Sequence, residues 1–235
     1  MLFGASRLSR GAGSVTGITF VNYYLNRAVT SFAYPSGTQA GDIAIMFEET
    51  HRGTNGSPET PPPTQTIPPG YSYLLNQVFD TNPAVDNCRV LISYKILTAT
   101  DVSNGVSNLT GSNEAQWMLV FRPNVPTSSL ITSTPTCEIT AGNPTSQTIA
   151  CANAATPMIA IAWFQTREGT VNPRTSSVTM TELEDSITIN PYRSYLKYKI
   201  YNMADTAQSI TVDMDDETTT TDAKNILTSF YLKVL

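Results

Sequence analysis

The sequence predicts an all-β protein, an antiparallel β-sandwich of jelly-roll type preceded by an extended N-terminal arm, and three observations carry that prediction. Charged residues make up only 14% of the 235 positions, whereas Ser and Thr fill 55. Helix surfaces are usually built from Glu, Lys and Arg, while Thr, Tyr, Val and Ile favour strands. Strand signals recur from end to end with turn residues between them, and no stretch shows a helical apolar stripe. With 40% apolar residues the chain can bury a full core, and its composition is not that of a disordered protein.

The elements follow by alternation and by β-branched or aromatic enrichment. In the first half the expected strands are 15–25, 28–34, 42–48, 71–79, 89–97 and 115–122. In the second half they are 148–151, 158–165, 186–189, 194–201, 209–212 and 227–234. A dozen strands without intervening helices imply a sandwich or barrel rather than a parallel sheet. The longest irregular segment, 50–70, holds six prolines and is expected to be an extended surface loop. Too few strands precede it to form a separate core, so residues 15–235 are expected to be one domain.

Residues 1–14 carry Arg7 and Arg10, three glycines and no acid. They read as a cationic arm and leave the remaining chain at −7 against the overall −5. That acidic balance argues against nucleic acid or an anionic membrane as partner. The longest apolar run is short of a membrane span, and no secretory signal is evident, so synthesis in a cytoplasm is expected. Cys88, Cys137 and Cys151 lack CxxC spacing and are expected to be buried thiols, with a Cys137–Cys151 bridge as the alternative.

A weak internal echo runs through the chain. IAIMFEE (43–49), RVLISYKIL (89–97) and QWMLVF (116–121) are followed by IAIAWFQ (159–165), RSYLKYKIY (193–201) and ILTSFYLKV (226–234). Unequal spacing excludes a solenoid. Either the two strand sets face each other across one core, or central sandwich strands simply look alike.

Little in the sequence points to catalysis. His51 is the only histidine, in the polar context FEETHRGTNG, and no nucleophile or zinc motif accompanies it. Glu48 and Glu49, the TELEDS group with Glu182, Glu184 and Asp185, and the DMDDE run read as solvated hairpin charges, because none neighbours a group that would separate an acid from a base. Asp213, Asp215, Asp216 and Glu217 form a carboxylate cluster of the kind calcium favours, but without the glycine and spacing of an EF-hand loop. GAGSVTG has the glycines of a dinucleotide loop but neither the preceding strand nor the following helix. No metal or cofactor is expected.

The best binding candidate is in YRSYLKYKIY. Alternation puts Tyr195, Lys197, Lys199 and Tyr201 on one face, expected to be outward. Such a face suits either a protein partner or a host surface glycan stacked on tyrosine rings. Lysines without a nearby acid favour an acidic protein neighbour.

GDIAIMFEE (41–49), PPGYSYLL (68–75), RVLISYKILTATD (89–101), AQWMLVFRPN (115–124) and PMIAIAWF (157–164) together resemble a β-sandwich module common in tailed-bacteriophage proteins. That module shows a Gly-Asp-hydrophobic strand, a Pro-Pro-Gly-aromatic turn, a Tyr-Lys strand and a hydrophobic strand closing on Arg. The likeness spans roughly residues 40–235, with a long proline insertion and with Tyr71 where such modules often carry Trp. It implies a non-enzymatic virion protein of the tail, fibre or capsid-decoration type. Such a protein would be in contact with other virion proteins and, like most surface appendages, homo-oligomeric. The cationic arm itself is expected to serve assembly, with Arg7 and Arg10 pairing to acids on a neighbour.

Overall fold

The computed structural model describes residues 15–26, 29–52, 67–79, 87–109, 115–125, 127, 129–141, 145–166, 174–184, 193–214 and 224–235; at some strand ends, including His51 and Cys88, it describes only the backbone. In chain order the elements are β1 (Ile18–Asn26), β2 (Ile43–Arg52), β3 (Ser72–Phe79), β4 (Asn87–Ile96), α1 (Ala99–Asn104) and β5 (Ala115–Pro123). There follow β6 (Leu130–Thr132), β7 (Thr136–Ala141), β8 (Thr145–Ile149), β9 (Met158–Thr166) and β10 (Arg174–Ser176). The last are β11 (Thr181–Glu184), β12 (Arg193–Tyr201), β13 (Ile210–Met214) and β14 (Lys224–Val234).

These strands build three antiparallel sheets. The first has the order β1-β5-β2-β4-β3, the second runs β11-β12-β9-β14 with both β6 and β7 on the far side of β14, and the third is β10-β13-β8. The all-β sandwich is the expected one. Each large sheet draws its strands from one half of the chain, where a jelly roll would pass back and forth between sheets.

The main core lies between the two large sheets. Ile43, Ile45, Phe47, Val90, Ile92, Trp117, Leu119 and Phe121 from the first meet Ile159, Ile161, Trp163, Leu196, Ile226, Phe230 and Leu232 from the second. The two echoing strand sets therefore do face each other. Both large sheets are also buried on their outer faces, which is why their central strands read as nearly continuous apolar runs. Ile149, Ile210, Val212 and Met214 of the third sheet cover Ala160, Ala162, Phe164 and Leu227 of the second. Phe32, Tyr71, Val106 and Leu109 cover Ala44, Met46, Met118 and Val120 of the first.

The resemblance between the halves extends to register. Ile43, Ile45 and Phe47 of β2 pair with Ile96, Tyr94 and Ile92 on one side and with Phe121, Leu119 and Trp117 on the other. Ile159, Ile161 and Trp163 of β9 pair likewise with Ile200, Tyr198 and Leu196, and with Leu232, Phe230 and Thr228. Outer strands match too: Ser72 faces Tyr94 as Thr181 faces Tyr198. Ile18, Thr19 and Phe20 face Pro123, Arg122 and Phe121 as Leu130, Ile131 and Thr132 face Val234, Lys233 and Leu232. Just beyond, β1 carries its bulge where the other half breaks between β6 and β7. The second sheet is the first repeated, turned to face it.

Several expectations need correction. Of the expected strand 28–34, the described residues 29–34 contribute only the single bridge Phe32–Val106, because the buried amide of Gln116 takes the place of a strand partner: its Oε1 accepts from the Val29 N–H at 3.0 Å and its Nε2 donates to the Val29 carbonyl at 3.1 Å. Strand β2 runs on through Thr50, His51 and Arg52, which were expected to begin the loop. Of that loop, 53–66 lies outside the described residues, as do the arm 1–14 and the expected strand 186–189. α1 was unforeseen because it buries no residue and so leaves no apolar stripe; its signal is the capping box of Thr98 and Asp101. Among the described residues no helix is long and apolar enough to cross a membrane.

Cys137 and Cys151 are free thiols. Burial pushes Cys137 up to about 12 and Cys151 up to about 11, and Thr228 Oγ1 donates to the Cys137 sulfur at 2.9 Å. Both thiols therefore stay protonated near neutral pH. Neither thiol should react with a disulfide reagent until the protein unfolds, which absorbance of the released thiol in native and denatured protein will show.

Candidate functional site

The Tyr195-Lys197-Lys199-Tyr201 face is not an outer surface. Alternation placed these residues together correctly, but the third sheet covers their side: Tyr195 is 2% exposed and Tyr201 3%. Lys197 is buried and carries an acid after all, since β11 sets Glu182 opposite it in register and Lys197 Nζ lies 3.1 Å from Glu182 Oε2. Lys197 Nζ also donates to the Arg174 carbonyl at 2.6 Å, Arg174 Nη2 to Glu182 Oε1 at 2.9 Å, and the Arg174 guanidinium lies 3.3 Å over the Tyr195 ring. This cluster binds β10 of the third sheet to β11 and β12 of the second. Only Lys199 stays partly exposed, its Nζ 5.8 Å over the Tyr201 ring.

The acids expected to be solvated divide in two. Glu48 and Glu49 are buried in β2, and Glu182 is held in the cluster just described. Asp213 accepts from Thr175 Oγ1 at 3.4 Å across the third sheet, while Asp215, Asp216 and Glu217 lie outside the described residues. No group of metal-binding side chains forms among the described residues.

Other polar groups hold corners of the first sheet. Arg122 donates from Nε and Nη2 to the two oxygens of Asp42, at 2.7 and 2.8 Å, and from Nη2 to the Gly37 carbonyl at 2.7 Å. Lys95 Nζ donates to Asp101 Oδ1 at 2.6 Å, joining β4 to α1. The hydroxyls of Tyr34 and Tyr71 meet at 3.0 Å, and burial raises both above the ordinary tyrosine value.

Burial opposes ionisation of Glu182 and Asp101, but hydrogen bonds from Arg174 and Lys197 to the first, and from Lys95 and Thr98 to the second, outweigh it and lower both. Their folded values lie below the ordinary 4.5 and 3.8. Their contribution to stability is therefore complete above those ordinary values and is lost as pH falls through the lowered ones. The urea midpoint should fall on acidification from about pH 5 to about pH 3, and Glu182→Gln should flatten that limb.

Among the described residues there is a cleft of about 360 Å³ lined by Gly70, Ser72, Tyr94, Lys95, Ile96, Ser129 and Leu130. It opens where the β3–β4 edge of the first sheet meets β6 of the second. Gly70 ends the turn closed by the Tyr71 N–H on the Pro68 carbonyl, at φ +79°. That left-handed φ favours glycine, while the nearest atom a Cβ would meet, Lys95 Nζ at 2.6 Å, is the movable end of a flexible side chain. The Pro-Pro-Gly and Tyr-Lys motifs signalled this corner, but β6 did not, because three residues beside a Ser-rich turn carry no period.

Comparison with known proteins supplies no relative: no family model, no curated protein and no solved structure matches the chain.

Proposed function

We propose that this chain is a non-enzymatic structural component of a tailed-phage virion, a sandwich module on a tail, fibre or capsid surface held by protein–protein contacts and most readily as a homo-oligomer. The observation that carries this reading is the chemistry of the sheet edges. β1 (ITFVNYYLN) and β3 (SYLLNQVF) border the first sheet, and neither contains a charged residue. Edge strands of isolated proteins are normally guarded by charge, proline, a β-bulge or a covering element. Each of these two edges carries a bulge, between Phe20 and Asn22 and between Tyr73 and Leu75, but no charge. Here Tyr23, Tyr73 and Val78 stand exposed on these two edges, Tyr73 at 50%. By contrast the β11 edge of the second sheet reads TELE and is guarded. Two uncharged, tyrosine-bearing edges suit permanent cover by a neighbour. Glycan adhesion at Tyr195 and Tyr201 loses its platform, since both rings are interior.

Charging one edge tests this reading. The double variant Tyr73→Lys, Val78→Lys alters exposed side chains only. It should fold with an unchanged circular dichroism spectrum, run as a monomer by light scattering at micromolar concentration, and fail to enter particles. A wild-type monomer, or full incorporation of the variant, contradicts the proposal.

A further inference from the structure

The Tyr94 cleft is where the two equivalent halves differ in what fills the gap between the sheets. Beside β1, that gap is filled by Phe20, whose ring stacks on Tyr198 at 4.8 Å and 26° and meets Phe121 edge-on at 5.5 Å. Ile18 and Ile200 pack against the same core there. At the opposite edge four of the seven lining residues have a counterpart in register: Tyr94 for Tyr198, Ile96 for Ile200, Ser72 for Thr181 and Leu130 for Ile18. Thr132 stands where Phe20 would be. No ring stands there, and the cleft lies open beside Tyr94, one of its lining residues. Among the described residues the ring pairs do not include Tyr94.

We infer that this cleft takes an aromatic side chain supplied by a second copy of the chain, Phe3 of its residues 1–14. The inference rests on the assembly reading and names one of its contacts. Phe20 against Tyr198 gives the mode: a ring flat on tyrosine, delivered by an extended segment. Residues 1–14 contain one aromatic, Phe3, together with Arg7 and Arg10 and no acid, opposite in sign to the remaining chain. Extended, the stretch from Phe3 to Val15 reaches about 40 Å, against about 24 Å for the width of five strands. Val15, to which these residues are joined, shortly precedes β1, the edge strand opposite β3. Phe32, Val106 and Leu109 already cover part of its own sheet's outer face, and the assembly reading sets a second copy against the β3 edge, where the cleft opens.

Thr132→Phe places a ring at the position equivalent to Phe20 and should compete for the face of Tyr94. A synthetic peptide of residues 1–14 should bind saturably to the full chain. Thr132→Phe in the protein, or Phe3→Ala in the peptide, should each weaken that binding at least tenfold. In the full chain, Phe3→Ala and Thr132→Phe should shift the oligomer toward monomer to the same extent by light scattering. Phe3 lies outside the sandwich described, so its readout stands even where Thr132→Phe perturbs folding. Equal binding of the Phe3→Ala peptide, undiminished binding to a folded Thr132→Phe protein, or displacement of the peptide by a monosaccharide would each overturn the inference. Should the β3 edge variant block incorporation while Phe3→Ala and Thr132→Phe leave it untouched, the assembly reading stands and the cleft contact falls.

Discussion

Replacing Ser194 with alanine is expected to destabilise the sandwich by about 2–6 kcal/mol, because it leaves two buried indole N–H groups without an acceptor, each at about 1–3 kcal/mol. Ser194 Oγ accepts from Trp117 Nε1 and from Trp163 Nε1, both at 2.8 Å. Trp117 belongs to β5 of the first sheet and Trp163 to β9 of the second, and both are fully buried. One hydroxyl thus satisfies a donor from each side of the interface. It stands at the position that Val90 holds in the equivalent strand, where an apolar residue would be the default. Urea denaturation followed by tryptophan fluorescence measures the loss. Trp163→Phe combined with Ser194→Ala should cost less than the sum of the two, since either change breaks the same bond. A loss below about 0.5 kcal/mol, the range of an inert surface substitution, would mean the hydroxyl is not the shared acceptor.

Asp42→Ala is the second large effect, expected at about 2–4 kcal/mol, below the value for a fully buried pair because water reaches the partner cation. Asp42 is fully buried; besides both bonds from Arg122 it accepts from the Gln39 N–H at 2.8 Å. Arg122 keeps about a third of its side-chain surface. The aspartate fixes the entry of β2, where its own carbonyl accepts from the Leu97 N–H and the Gly41 N–H donates to the Leu97 carbonyl, both at 2.8 Å. Asp42→Asn keeps an acceptor and should lose less. Equal losses for the two variants would show that the charge contributes little.

The long central strands were legible because period-two alternation is strong over eight or more residues: β2, β4, β5, β9, β12 and β14 all lie close to their expected places. β6, β10 and β11, at three or four residues, give alternation too little length to register. Missing β10 and β11 had the largest consequence. Alternation correctly grouped Tyr195, Lys197 and Tyr201, but period two assigns residues to faces and says nothing about which face is solvated once both are covered. Glu182 was read as a loop acid for the same reason, and so Lys197 looked unpaired. The cleft was hidden differently. Phe20 and Thr132 occupy equivalent places, yet that equivalence exists only through the pairing of β1 with β5 and of β6 with β14, which no local pattern encodes. The Gly-Asp and strand-closing Arg motifs, by contrast, were visible, and Asp42 and Arg122 proved to be partners.

Imaging of the intact particle tests the central claim most directly. The account predicts density for this sandwich at regular positions on tail, fibre or capsid, with the uncharged β1 and β3 edges both against neighbouring protein. Particles that lack the chain, or that carry it with both edges facing solvent, would contradict it.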